Sequence, residues 1–420
     1  MTVDAVAVGA GQRGFFVYGA WALRHPHRLR FVAVADPDPD RRDRFADAHG
    51  IGPSRRFADP DDLFSRGRLA VAAIVASDDR SHVPVTVSAL EAGYEVLTEK
   101  PAATDLDGLV TLVRAARRAS GHLHVAHVLR FTPFFLTLHR VVTSGVIGDV
   151  VTVEHRENVA FWHMAHSFVR GNWSRAEEAT PLIVQKACHD FDILTWNVPS
   201  PVTALSSMGS LFEFRPDRAP PGATPRCTDG CPVGDCPYDA RRIYLDTNDT
   251  GWPHHVLGDD LSPAGRLAAL RSGPYGRCVY RAGSDVVDHQ VVTMQTAAGT
   301  TIALHVHGHS AEEARTMRYD GTRGTLRGVF GRRHELEVTV HRTGSVRRFP
   351  VDAHSGGHGG GDDGLIAAFV ESAADGRPGP TDLTEIVESH FLAYLAEEAR
   401  ISGATIDVSA RRERLEGALR

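Results

Sequence analysis

Asp4-Ala5-Val6-Ala7-Val8, followed by Gly9-Ala10-Gly11-Gln12-Arg13-Gly14, decides the reading of the N-terminal half. A short apolar run leads into a glycine turn. A helical pattern then covers Phe15 to Leu23, and a second apolar run, Phe31 to Ala35, ends at Asp36. A lone G-x-G-x-x-G is weak. Between a strand and a helix, with an acid closing the next strand, it marks a dinucleotide-binding βαβ unit. The first glycine allows the tight turn, the second lets the backbone approach a pyrophosphate, and the third lets helix and strand pack closely. Gly9, Gly11, Gln12, Arg13 and Gly14 are therefore expected at a cofactor. Asp36 can accept hydrogen bonds from an adenosine ribose and would repel a 2′-phosphate, which favours NAD. Arg41 and Arg42 lie close downstream and keep NADP open.

The alternation continues. Asp59 to Leu63 starts a helix, Ala70 to Val75 is a buried strand, Ser77 to His82 a polar loop and Val83 to Ala92 a helix. The strand Tyr94 to Thr98 runs into Glu99-Lys100-Pro101. Ligands of an open parallel sheet bind outside the carboxyl ends of its strands. Ser77, His82, Glu99 and Lys100 are thus expected on the cofactor side. A helix at Asp105 to Arg118 and a strand at His122 to Ala126 complete the pattern. The chain reads as α/β, with a Rossmann domain over 1–127 and a second α/β domain over 128–420.

In the second domain strand-like alternation recurs at Val150 to Asn158, Val202 to Met208, Val286 to Thr296, Thr301 to Val306 and Leu336 to His341. Consecutive strands predict an antiparallel or mixed sheet with helices on one side. Helical patterns return at Leu365 to Ala374 and Leu383 to Ile401, and Gly356 to Gly361 is a glycine-rich loop. A Pro-, Gly- and Asp-rich insertion occupies about 215–280.

Of 46 basic residues only two are lysine, Lys100 and Lys186. Where arginine supplies charge elsewhere, the surviving lysines are expected where a proton must move, because a guanidinium stays protonated. Both are assigned to one active site. Lys186 lies in the densest ionisable cluster, Gln185-Lys186-Ala187-Cys188-His189-Asp190-Phe191-Asp192. Thr180-Pro181 predicts the start of its helix, threonine as cap and proline in the first turn. At helical spacing Gln185, His189, Asp192 and Trp196 share one face.

These motifs resemble the glucose–fructose oxidoreductase / inositol dehydrogenase / MocA family. The resemblance rests on Glu99-Lys100-Pro101 and on an Asp-x-Gly-x-His-x-x-Asp helix motif. Its histidine and last aspartate are His189 and Asp192, while Gln185 and Ala187 depart from it. It implies a second domain built on an open, mostly antiparallel sheet. It also implies Lys100 and His189 as the catalytic pair, Asp192 in support, and a dimeric or tetrameric assembly. The loss of the first aspartate leaves His189 or Lys186 as proton carrier.

Other segments fit a polyol pocket: Trp162, His163, His166, Arg170 and Trp173 interleave aromatic rings with polar groups. Arg130, Gln185 and His358 are further substrate candidates, the last in a His-Gly-Gly-Gly-Asp loop. In the insertion, Cys227, Cys231 and Cys236, with Cys278, are expected to hold a structural zinc through four thiolates.

Net charge is −6. Without a basic stripe no nucleic acid partner is expected. No signal peptide or membrane span is read, and the setting is taken as cytoplasmic. The leading expectation is an NAD(P)-dependent oxidoreductase passing hydride between nicotinamide and a carbinol carbon of a sugar, amino sugar or cyclitol, assembled as a homodimer or homotetramer. The alternatives are an NAD-retaining glycosidase or lyase, a nucleotide-sensing regulator without catalysis, and a dehydrogenase of aromatic diols.

Overall fold

A computed structural model of the protein describes residues 2–351, 357–379, 381 and 383–420. Six strands, β1 (Val3–Val8), β2 (Leu29–Ala35), β3 (Arg56–Phe57), β4 (Ala72–Val75), β5 (Glu95–Thr98) and β6 (Leu123–Val125), form a sheet of order β3-β2-β1-β4-β5-β6. Every pairing is parallel. A parallel sheet is covered on both faces, so its strands are largely apolar. All four residues of β4 and of β5 are buried accordingly. Local chemistry sets the helix starts: Asp38 accepts from Asp40 and Arg41 amides, and Asp105 from Gly108.

The second sheet has nine strands: β7 (Val150–Ala160), β8 (Val202–Ser210), β9 (His289–Thr296), β10 (Thr301–Ser310), β11 (Ala314–Gly321), β12 (Gly324–Phe330), β13 (Glu335–Val340), β14 (Val346–Arg348) and β15 (Ile406–Asp407). Their order is β14-β13-β12-β11-β7-β10-β9-β8-β15. Only the β7–β10 pairing is parallel. Helices Pro133–Thr143 and Leu383–Ser402 pack on one face, and Cys188–Asn197 packs against both. The fold expected from the sequence is therefore present. The strands β11, β12, β14 and β15 were not anticipated. Gly356 of the expected glycine-rich loop lies outside the described residues.

The helix expected from Thr180 onward is in two pieces. Pro181 itself caps Leu182–Gln185, and the helix resumes at Cys188–Asn197 after a break at Lys186 and Ala187. No backbone bond joins the His189 amide to the Gln185 carbonyl, which is left free. Residues 211–288, between β8 and β9, contain no strand. Their own core is small, formed by Cys227, Ala240, Tyr244 and Leu270.

The two halves are tied by polar contacts in the interior. The Ala102 amide donates to His390 Nε2 at 3.0 Å, and the Tyr394 hydroxyl to the Ala103 carbonyl at 2.6 Å. Arg130 holds Asp192 through two bonds of 2.8 Å, with both side chains buried, and also meets Glu385 at 2.9 Å. A buried carboxylate that loses its partner costs about 3–5 kcal/mol. Arg130→Ala should lower the apparent unfolding free energy by about that amount in urea titrations. The double variant Arg130→Met with Asp192→Leu should recover most of the loss.

Candidate active site

The glycine turn is built as a dinucleotide cradle. Gly9 has φ +90°, and a Cβ there would lie 2.5 Å from the Ala76 carbonyl oxygen. A Cβ on Gly14 would meet the Gly9 carbonyl oxygen at 2.0 Å. At Gly11, in contrast, the nearest atom to a Cβ is Arg41 Nη1, at 4.0 Å. Two glycines permit close packing, and the one between leaves bare backbone facing open space, which fits a pyrophosphate. Asp36 is buried at the end of β2. One carboxylate oxygen accepts from the Ala10 amide at 2.7 Å and the other from the Asp38 amide at 2.9 Å. The acid thus fixes the turn as well as standing where a ribose would be read. Arg42 donates to the Asp36 carbonyl at 2.8 Å, and Arg41 pairs with Asp38 at 3.4 Å.

Ser77 and His82 link this turn to β5. His82 places one ring nitrogen 2.7 Å from the Pro101 carbonyl and the other 3.2 Å from that of Ser77. Gln12 contacts His255 of the insertion. Arg13 donates to Glu99 at 2.5 Å and to Asp362 at 2.8 Å.

Lys100 leaves the end of β5 through a cis bond to Pro101. Its Nζ donates to the free Gln185 carbonyl at 2.8 Å and stands 5.7 Å from the centre of the Trp173 ring. Burial lowers its pKa, and the charge of Lys186 lowers it further against Cys188, Asp79 and Glu99. His189 is buried, and burial with the charge of Lys100 pushes its pKa well down, so it is neutral. Its Nδ1 has no hydrogen-bond partner. An unpartnered polar atom in a buried site is costly unless a ligand completes it. His127 and His358 flank the ring, with centroids at 5.9 and 6.1 Å. His358, at φ 49°, is oriented by Asp362 at 3.0 Å.

Lys186 lies near enough for its charge to act on Lys100, but its surroundings differ. It contacts Glu157 at 3.3 Å and Glu313 at 3.2 Å. Burial would lower its pKa, yet the two carboxylates raise it. Glu157 is itself pushed up to about 7 by burial, against Arg315 and Lys186. Glu313 also accepts from His163 Nδ1 at 3.0 Å. Trp162 stands beside His163, with centroids 5.8 Å apart.

Several expected substrate residues are committed elsewhere. Arg130 and Asp192 brace one another under Trp196. His166 lies 2.6 Å from the Tyr244 hydroxyl and stacks on Tyr275 at 4.6 Å. Arg170 donates to the Arg277 and Tyr238 carbonyls at 2.7 and 2.6 Å, which anchors the insertion. The reading from sequence missed Asp79, His127, Glu313 and Trp252. Only Asp79, inside the polar loop after β4, carried a local signal.

The zinc expected from Cys227, Cys231, Cys236 and Cys278 is not supported. The four side chains line one small cavity of about 20 Å³. Among the described residues, however, no three His, Cys, Asp or Glu are arranged to hold a metal ion. Arg170 supplies a physical reason. Its Nη2 is 3.7 Å from Cys227 Sγ, so a cation already lies against the thiols.

Residues 3–127 match the oxidoreductase-family NAD-binding Rossmann fold, and residues 140–406 match that family's C-terminal alpha/beta domain. YteT of Bacillus subtilis is 26% identical over 303 residues, 70% of each chain. An inositol 2-dehydrogenase of Leifsonia xyli is 31% identical over 225 residues, 50% of this chain and 57% of that relative. The structure of levoglucosan dehydrogenase in complex with NADH and levoglucosan superposes with a TM-score of 0.70 at 16% identity, covering 97% of this chain and 100% of that one, a likeness of fold. The chain belongs to the NAD-binding oxidoreductase family of glucose–fructose oxidoreductase, inositol dehydrogenase and MocA.

Proposed function

We propose that this protein is a dehydrogenase acting on the CH–OH group of a sugar, amino sugar or cyclitol. The observation that carries the reading is one pair of groups. Lys100, with lowered pKa, points across the domain boundary to Gln185, and the unpartnered Nδ1 of neutral His189 lies in the same cluster. The relatives that act on inositol and levoglucosan support a polyol or sugar. Gly9, Gly11, Gly14 and Asp36 would hold the dinucleotide, and its nicotinamide supplies the hydride acceptor when bound. Asp36 favours NAD, while Arg41, beside the Gly11 cradle, keeps NADP as the alternative. No helix among the described residues is long and apolar enough to cross a membrane. A homodimer or homotetramer is the assembly we favour, built on the sheet face that the helices leave open.

Lys100 is the proton carrier in this reading. Its partner is a neutral carbonyl, so either protonation state is tolerated. Lys186 is fixed as a cation by Glu157 and Glu313 and positions groups around it instead. A second reading, an NAD-retaining glycosidase or lyase, is favoured by the insertion. Its His255 contacts Gln12 and stacks on Phe16 at 4.3 Å, which would hinder cofactor exchange. Product formed without added cofactor and without net NADH would select it.

The test is a screen of sugars and inositols against NAD and NADP, followed at the NADH absorbance. Lys100→Met should lower kcat at least about 100-fold, the usual scale of acid–base catalysis. Its NAD Kd, read by calorimetry, should stay within about twofold of the wild type. Full activity would refute the role.

The pH dependence follows from protonation. Below its pKa Lys100 can give a proton, and above it the neutral amine can take one. The rate of alcohol oxidation should therefore rise with pH through the Lys100 pKa and level off below the ordinary lysine value of 10.5. The rate of ketone reduction should fall over the same interval. A profile unchanged in Lys100→Met would exclude Lys100 as its origin.

A further inference from the structure

One segment of the insertion crosses from the cofactor turn to the far end of the domain cleft. At one end Asp259 pairs with Arg44 of the Rossmann domain at 2.8 Å, and His255 stacks on Phe16 at 4.3 Å. At the other end is Trp252. Its ring lies 5.4 Å from Trp162, 4.8 Å edge-on to His163 and 5.4 Å from His166. Held by three rings, it is still 36% exposed.

The polar groups beside it are prepared for a ligand. His163 Nδ1 donates to Glu313, and its other ring nitrogen makes no hydrogen bond among the described residues. The Glu313 carboxylate also accepts from the Ala160 amide at 2.9 Å and from Lys186 at 3.2 Å, and its side chain is still 41% exposed. A sugar ring has an apolar C–H face that stacks on an indole and a rim of hydroxyls that seeks carboxylate and imidazole. Aromatic platform and polar pair are here side by side.

The platform adjoins the reacting groups through Glu313, which meets Lys186 at 3.2 Å, but Trp252 is not among them. Trp252 has no ring contact with His189 or His358 and does not lie under Lys100, a place taken by Trp173. His163 links the two regions: it lies edge-on to Trp252 at 4.8 Å and shares Glu313 with Lys186. A substrate that uses both regions extends beyond the ring being oxidised.

We propose that Trp252, Trp162 and the His163–Glu313 pair form a second sugar subsite, so that the substrate is a disaccharide or other glycoside. This rests on the dehydrogenase reading of Lys100. Trp252 is then a specificity-determining residue delivered by the insertion.

The test measures kcat/KM with NAD for a panel of α- and β-linked disaccharides of glucose, galactose and mannose, and for the matching monosaccharides. At least one disaccharide should exceed its monosaccharide about tenfold or more, the upper range of aromatic stacking. Trp252→Ala should collapse that ratio, and Trp252→Phe should keep most of it. A wild-type protein without disaccharide preference, or a ratio untouched in Trp252→Ala, overturns the subsite. Calorimetry with the same disaccharides separates the two readings. Binding that Trp252→Ala abolishes, with no NADH formed from any sugar, upholds the subsite and removes the dehydrogenase. Absence of disaccharide binding to the wild type removes the subsite whatever the turnover.

Discussion

Arg13 joins the three segments from which the site is assembled. It belongs to the glycine turn, and its guanidinium reaches Glu99, next to Lys100, and Asp362, next in the fold to His358. Burial opposes all three charges. Pairing reverses that: Arg13 is raised, while Glu99 and Asp362 are held below the ordinary carboxylate range. Each charge is therefore stable only while the others are in place. Tyr18 adds a hydroxyl to Glu99 at 2.6 Å. A guanidinium can serve two acceptors at fixed angles, which an ammonium does poorly. This is a place for arginine, and the cofactor turn, the Lys100 strand and the His358 loop are set in register by it.

The two lysines show how surroundings divide labour between identical side chains. Lys100 is desolvated and feels a second cation, which ease loss of its proton, and its partner is a neutral carbonyl with no charge to hold the proton in place. Lys186 is also buried, yet two carboxylates bind its charge. Its network continues inward, where Arg315 meets both Glu157 and Asp190 at 2.7 Å, and Asp190 lies 2.8 Å from His155. Lys186 thus ends a chain of buried charges between the second sheet and the active-site helix, and its positive field helps keep Lys100 poised.

What could be read from the sequence was local. The glycine turn, Asp36 and Glu99-Lys100-Pro101 announce themselves by spacing, because a turn or a strand end needs only its neighbours. Contacts made across the fold left no such trace. His163 and Glu313 are 150 positions apart, Gln12 and His255 243, Arg13 and Asp362 349. The helix break was missed for a related reason. Residues 182–197 contain no glycine or proline to mark a break, and at the interruption Lys100 takes the carbonyl that a continuous helix would use. Asp192 and Trp196 do share a face, which turns to Arg130, while His189 lies between His127 and His358. With the cysteines the spacing was right about convergence and silent about Arg170, which comes from outside the insertion and alters the electrostatics of the cavity.

That arginine also bears on how the insertion is held. The insertion's separate core is four side chains, and its other buried rings, Phe214, Tyr238 and Tyr280, pack into the main core of the chain. Its order is supplied by anchors on three sides. Arg170 fixes the Tyr238 and Arg277 carbonyls, His166 is packed between Tyr244, Tyr275 and Trp252, and Arg44 and Phe16 hold Asp259 and His255. The last two anchors belong to the Rossmann domain, beside the turn that holds the cofactor. The segment carrying Trp252 is thus braced on the Rossmann domain as well as on the second domain, and its position depends on both.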